Sequence, residues 1–148
     1  MSRLPLQASV ALQQALRKIS VPMRISRSSL LFAQGDRAKG IYLIETGSVG
    51  LSLKIHRSGR TVCQRTLGKR SVLGLPAAIN DVGYSLTAKA VEDLEVAFIS
   101  REKLMEEMSQ NIWLAMEILR ILSYEIHDMR EIVIGHARFA TRRTPVCR

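Results

Sequence analysis

The chain has 148 residues, 47% of them hydrophobic, with 22 Lys and Arg against 13 Asp and Glu. That length fits one ordinary domain with a real core, and no apolar run reaches the roughly 18 residues a membrane-spanning helix needs. A net charge of +9 admits a nucleic-acid partner, but the bases are spread along the chain, which reads first as a solvated surface.

The opening "MSRLPLQASVALQQALRK" has an apolar patch, but Gln13 and Gln14 interrupt it, so it lacks the continuous apolar centre of a secretory signal. Within residues 8–19, Leu12, Leu16 and Ile19 recur at helical spacing. Pro22 ends this helix, because its ring blocks helical continuation. The N-terminal helical segment is therefore placed in 1–20.

Residues 21–100 change texture. Short runs rich in Val, Ile, Leu, Thr and Tyr are punctuated by Gly35, Gly47, Gly59 and Gly68, where left-handed turns would sit. "HRSGR" (56–60) reads as a hairpin turn. Many short strands with regular turns predict a sandwich, jelly roll or barrel. Residues 46–80 carry Lys54, Arg57, Arg60, Arg65, Lys69 and Arg70 and no acid.

Residues 101–136 contain no Gly or Pro before Gly135 and predict one long helix. Ile112, Ala115, Leu119, Leu122, Ile126, Met129 and Val133 alternate in steps of three and four, a heptad seam held for about three heptads. A second stripe, Leu114, Ile118, Ile121 and Ile132, lies beside it. A helix with two apolar faces leaves one uncovered if it packs only on its own domain, and large uncovered apolar patches mark contacts. The expectation is a homodimer through this helix, one stripe facing the β domain and the other a second copy. Residues 137–148 form a basic tail.

At this point the ordered set resembles the cyclic-nucleotide-binding domain of the Crp–Fnr family of bacterial regulators over about residues 20–136. "FAQGDRAKGIYLIETGSVGLSL" (32–53) resembles the family's β-roll signature, with Gly35-Asp36 and Gly47 in place. "LEVAFISREKLMEE" (94–107) resembles its last strand and the entry to the long helix. The resemblance implies a mainly β fold with flanking helices. This is a double-stranded β-helix, or jelly roll, over 21–100, plus a long C-terminal dimerisation helix over 101–136. It also places the phosphate cassette on "SVLGLPAAINDVGYSLTAKAVED" (71–93). Typical members have Phe-Gly-Glu, a helical turn, then Arg followed by Ser or Thr. In that cassette, backbone N–H groups meet the cyclic phosphate, Arg neutralises it and Glu accepts from the ribose hydroxyl.

This chain departs from the pattern. Gly74 matches the family Gly, but Leu75 stands at the Glu position, with Pro76 next, and Tyr84 at the Arg position, with Ser85 next. Charge-assisted bonds of this kind contribute about 1.5–3 kcal/mol each, so losing two weakens binding by roughly 10²- to 10⁴-fold. Tight cyclic AMP binding is therefore disfavoured. The remaining surface suggests a less charged, partly apolar effector among Leu73, Gly74, Leu75, Pro76, Ala77, Ala78, Tyr84, Ser85, Leu86 and Thr87. Met129 and Arg130 on the long helix are candidates for the pocket mouth. The plainer reading makes Tyr84 a strand residue packed on the roll, and Arg130 a surface charge paired with Glu131 or with Glu125 of a second copy.

Other chemistry finds little support. Cys63 and Cys147 are too few for an iron–sulfur cluster, which takes about four thiolates. They also have no metal-ligand spacing, and so suit a reducing cytoplasm. Haem is disfavoured, since His56, His127 and His136 read as surface or core residues. No hydrolase, metalloprotease or Walker motif appears, so no enzyme is expected. Family members usually continue into a helix-turn-helix domain, and this chain stops near where that would begin. DNA reading is therefore expected only if a further domain is present. The expectation is the small-molecule-sensing half of a Crp–Fnr-type regulator, a cytoplasmic protein with no membrane partner. The alternative is a ligand-free dimerisation or interaction module.

Overall fold

The computed structural model describes residues 7–55 and 57–139. A short helix α1 (Val10–Lys18) leads into strands β1 (Val21–Ile25), β2 (Leu30–Phe32), β3 (Gly40–Thr46), β4 (Val49–Lys54), β5 (Thr61–Leu67) and β6 (Val72–Leu73). Helix α2 (Leu75–Asn80), strands β7 (Thr87–Ala90) and β8 (Leu94–Ser100), and helices α3 (Arg101–Gln110) and α4 (Ile112–Phe139) complete the order. The strands form two four-stranded sheets, ordered β1-β8-β3-β6 and β2-β7-β4-β5, with every pairing antiparallel. This is the mainly β roll with flanking helices that the sequence predicts.

The sheets close over a core because their strands alternate. In β4, Val49 and Leu51 are buried while Gly50 and Ser52 are only partly covered; Ile41, Leu43, Ile44, Val72, Val96 and Ile99 complete the inner faces. Period-two alternation turns one face of each strand inward. Each helix adds one apolar face: Leu12 and Leu16 from α1, Leu104 from α3, and Leu114, Ile118 and Ile121 from α4.

Helix α1 starts at Ser9, whose hydroxyl accepts from the Leu12 N–H at 3.1 Å. The same hydroxyl donates to Glu117 of α4 at 3.3 Å. At its other end Arg17 pairs with Glu45 of β3, to which the buried Gln13 also donates. The Arg17 hydrogen bond, ahead of other causes, holds the Glu45 carboxyl below its ordinary range. A short helix is thus fixed to both the roll and α4 by polar contacts.

The long helix predicted over 101–136 is in fact two. Asn111 leaves the helical region, at φ −127° and ψ 97°. Its side-chain oxygen accepts from the Leu114 N–H at 3.2 Å, so the residue that ends α3 caps α4. Asn competes with the helical backbone for hydrogen bonds, and that is why it favours caps over helix interiors. Helix α4 then continues to Phe139, beyond the 136 expected. No helix among the described residues is long and apolar enough to cross a membrane.

Candidate effector site

The cassette begins at Gly74, which sits at φ +90° as the N-cap of α2. Two constraints hold it as glycine. Left-handed backbone disfavours a side chain, and a Cβ there would come within 2.9 Å of Tyr84 Cε1 and 3.2 Å of the Gly40 carbonyl. Pro76 lies in the first turn of α2, where its missing N–H has no helical partner to lose. Leu75, Ala77 and Ala78 point inward and are buried. At the far end, Asp81 takes a left-handed conformation and faces Arg101 at 3.6 Å, joining α2 to α3.

Tyr84 lies in the loop between α2 and β7 rather than in a strand. Its backbone is pinned by the Gly35-Asp36 turn: the Tyr84 N–H donates to the Asp36 carbonyl at 2.9 Å, and the Gly35 N–H donates to the Tyr84 carbonyl at 2.8 Å. This fixes the ring in the roll. It stacks on Phe32 with centroids 3.9 Å apart and 15° between planes, and its hydroxyl donates to the Gly40 carbonyl at 2.7 Å. Only 5% of Tyr84 is exposed. Burial pushes its hydroxyl up to about 12, so it stays a neutral donor. The aromatic contacts continue through Tyr42, 5.8 Å from Phe32, to Phe98, 5.1 Å from Tyr42.

The cavity left beside the cassette holds about 50 Å³, against roughly 300–1,000 Å³ for ordinary ligand pockets. Its walls bring together Leu73, Gly74, Leu75, Pro76, Ala77, Tyr84, Ser85 and Leu86 from the predicted set, and add Phe32, Leu51, Val72 and Glu125. Ala78 is buried in the core behind it. Thr87 is outside this lining, its hydroxyl accepting from the Gln34 N–H at 2.9 Å. Arg130 is exposed on α4 and is also outside the lining. The Met129 side chain lies outside the described residues.

Among the described residues, Glu125 is the one carboxylate in these walls. Burial raises its pKa, and the charge of Arg65 on β5 partly opposes that. A sequence signal for it existed: 125 continues the stripe of Leu114, Ile118 and Ile121 by one more step of four, so it shares their face of α4. The site thus offers apolar walls, two aromatic rings and a carboxyl group. A cyclic phosphate entering it would meet no cation of the cassette and would approach a carboxylate. A larger trough, about 570 Å³, is elsewhere, between the end of α1 and β1, and its rim is formed by the Arg17–Glu45 and Arg24–Glu95 pairs.

Of the predicted seam residues, Ile112, Leu119 and Ile126 fall on the open side of α4, whereas Leu122 packs partly buried against the core. Ile112, Leu119 and Ile126 are 81%, 52% and 52% exposed; Ala115 and Leu122 are partly covered; the side chains of Met129 and Val133 lie outside the described residues. Met116 and Trp113 extend the apolar surface. Among the described residues no group of three or more His, Cys, Asp or Glu is placed to hold a metal.

Residues 22–111 match the cyclic nucleotide-binding domain family, and the chain belongs to it, as a Crp–Fnr-type member. It is 29% identical over 120 residues to the anaerobic regulatory protein of Bacillus subtilis (strain 168), covering 80% of this chain and 50% of that protein. The fold is similar to that of the Thermus thermophilus catabolite activator protein, with a TM-score of 0.75 at 21% identity over 87% of this chain and 60% of that one. It is also similar to a c-di-GMP responsive global regulator of Xanthomonas campestris, with a TM-score of 0.75 at 18% identity over 91% of this chain and 66% of that one. The chain spans about half the length of the curated relative it matches.

Proposed function

We propose that this chain is a small-molecule-sensing regulatory domain that has given up tight cyclic AMP binding, works as a homodimer through α4 and passes the state of its roll to that helix. The observation that carries the reading is Tyr84. It stands where the family pattern has its phosphate-binding Arg, and it fills the site by stacking on Phe32 and bonding to Gly40. Leu75 removes the ribose acceptor, and Glu125 sets a carboxylate among the walls. The effector this favours is small, uncharged or cationic, and partly apolar.

Coupling to α4 follows from the face that helix turns to the roll. Leu114, Ile118, Ile121 and Glu125 pack inward while Ile112, Leu119 and Ile126 remain outside. Anything that displaces Glu125 tilts or rotates the helix that carries the seam. The exposed seam supports a second copy as its cover. In this reading the domain acts alongside a DNA-binding domain of the full regulator, as the greater length of the matched relative suggests.

The small cavity favours a second reading, a ligand-free dimerisation module. Thermal unfolding with cyclic AMP, cyclic GMP and a panel of neutral and cationic metabolites separates the two. A ligand confined to the folded state adds about 2.7 kcal/mol at 100 times its Kd. A shift with an uncharged or cationic compound supports the sensor. No shift with any compound leaves the dimer module, and a clear shift with cyclic AMP refutes the loss of nucleotide binding.

A further inference from the structure

The outer face of the β2-β7-β4-β5 sheet takes no part in the cavity or the seam. Its strands contain Lys54, Arg65 and Lys89 and no acid, and the hairpin between β4 and β5 adds Arg57 and Arg60. The strands of the other sheet hold Arg24, Glu45 and Glu95. Charge is therefore divided between the two faces of the roll. The ion pairs of the described residues join α1 to β3, β1 to β8 and α2 to α3, or lie within α3 and α4; none involves Arg27, Lys54, Arg57, Arg60 or Lys89. Arg65 is opposite Leu51 in register and acts on Glu125, and it also lines the groove described below.

The register sets Leu30, Lys89, Gly50 and Thr66 in one row across the four strands. Gly50 leaves a notch in that row. A Cβ there would meet Val91 Cγ2 at 3.5 Å and the Lys89 carbonyl at 3.8 Å, which is ordinary contact. Around the notch runs an open groove of about 380 Å³ walled by Arg27, Ser28, Ser52, Thr66, Lys89 and Val91. Leu30 and Val91 are 51% and 49% exposed.

We propose that this face docks an acidic protein segment that carries an apolar side chain between its carboxylates. Lys89 and Arg27 meet the carboxylates, the Gly50 notch between Lys89 and Val91 takes the apolar side chain, and Ser52 and Thr66 supply hydroxyls. A nucleic-acid backbone would use the basic side chains but not the notch, Leu30 or Val91, and among the described residues the face has no exposed aromatic ring on which a base could stack. Asp93 sits beside Arg27, its carboxylate accepting from the Arg27 N–H at 2.8 Å, and Glu92 precedes it in the chain. An acidic segment would therefore run away from them, toward Arg57 and Arg60.

The test is fluorescence anisotropy of the full chain with a short synthetic peptide of glutamates around a central leucine. Binding should weaken as salt is raised and should be several-fold tighter than for the same peptide with a central alanine. Lys89→Gln with Arg27→Gln should weaken it roughly threefold to tenfold. Gly50→Val should fill the notch and abolish the leucine preference while holding or raising the unfolding temperature, so that lost binding is not lost folding. The proposal is overturned by four results: no peptide binding, tighter binding to a random-sequence DNA duplex than to the peptide, a leucine preference that survives Gly50→Val, or binding lost with Arg142→Gln and Arg143→Gln in place of the sheet changes.

Discussion

Replacing Tyr84 with alanine should reopen the effector site at a cost that can be calculated. The ring is 95% covered and stacked on Phe32, and removing a buried aromatic side chain costs about 3–5 kcal/mol through lost transfer energy and the cavity left behind. The lost hydrogen bond to Gly40 contributes about 1 kcal/mol more. Tyr84→Phe isolates that second part, so it should lose only about 1–2 kcal/mol. At about 2–4 °C per kcal/mol for a chain of this size, the alanine variant should unfold roughly 10–20 °C lower and the phenylalanine variant a few degrees lower. Urea denaturation checks the energies and thermal melting the temperatures. Adding p-cresol, which replaces the missing side chain, should restore part of the alanine loss by binding only the folded form. An alanine variant within 1 kcal/mol of the parent, or one indifferent to p-cresol, would show that Tyr84 does not plug the site.

Leu119→Glu places a charge on a half-exposed seam position; it should leave the fold within about 0.5 kcal/mol while sedimentation shows a monomer, and a persistent dimer would place the interface elsewhere. Glu125→Gln removes a carboxyl whose pKa burial raises. In the parent this group's contribution is most favourable at low pH and is lost as pH rises through the raised value, so the variant should melt higher than the parent at neutral pH and the gap should close in acid. Glu45 behaves oppositely. Its pKa is lowered by Arg17, so its contribution is present above the ordinary carboxylate range and is lost as pH falls through the lowered value. Acid titration should therefore release α1, and Glu45→Gln should flatten that transition in amide hydrogen exchange of residues 10–18. Asn111→Ala should lower stability by about 1 kcal/mol through the lost cap, read by urea denaturation.

The roll was legible because its signals are local. Short apolar runs with Gly at their ends and the apolar steps on the last helix each report one element, and the ordered set over 20–136 pointed to the family. What stayed hidden depends on tertiary choices. The break at Asn111 was written in "SQNIWL", an Asn before an apolar run, yet the absence of Gly and Pro made 101–136 look continuous. Glu125 sits on the buried stripe, but a charged residue does not announce burial, and Arg130 drew attention instead because a missing cation suggested a replacement. Sequence could say that Tyr84 stood in the cassette; only packing shows its ring filling the space, since that depends on Phe32 and Gly40, both far away in the chain.

The joint at Asn111 also sets how the two C-terminal helices tolerate changes in length. Because α4 is capped afresh by Asn111 rather than continued from α3, its rotational phase is counted from that residue. An extra residue at the exposed end of α3, beside Ser109 or Gln110, can be taken up in the non-helical joint and leaves Ile112, Leu119 and Ile126 aligned. One extra residue after Asn111 turns everything beyond it by about 100°, carrying the seam toward the roll and Glu125 toward solvent. Lineages of this domain can therefore lengthen or shorten α3 without changing which side of α4 faces outward, whereas α4 itself has a fixed reading frame.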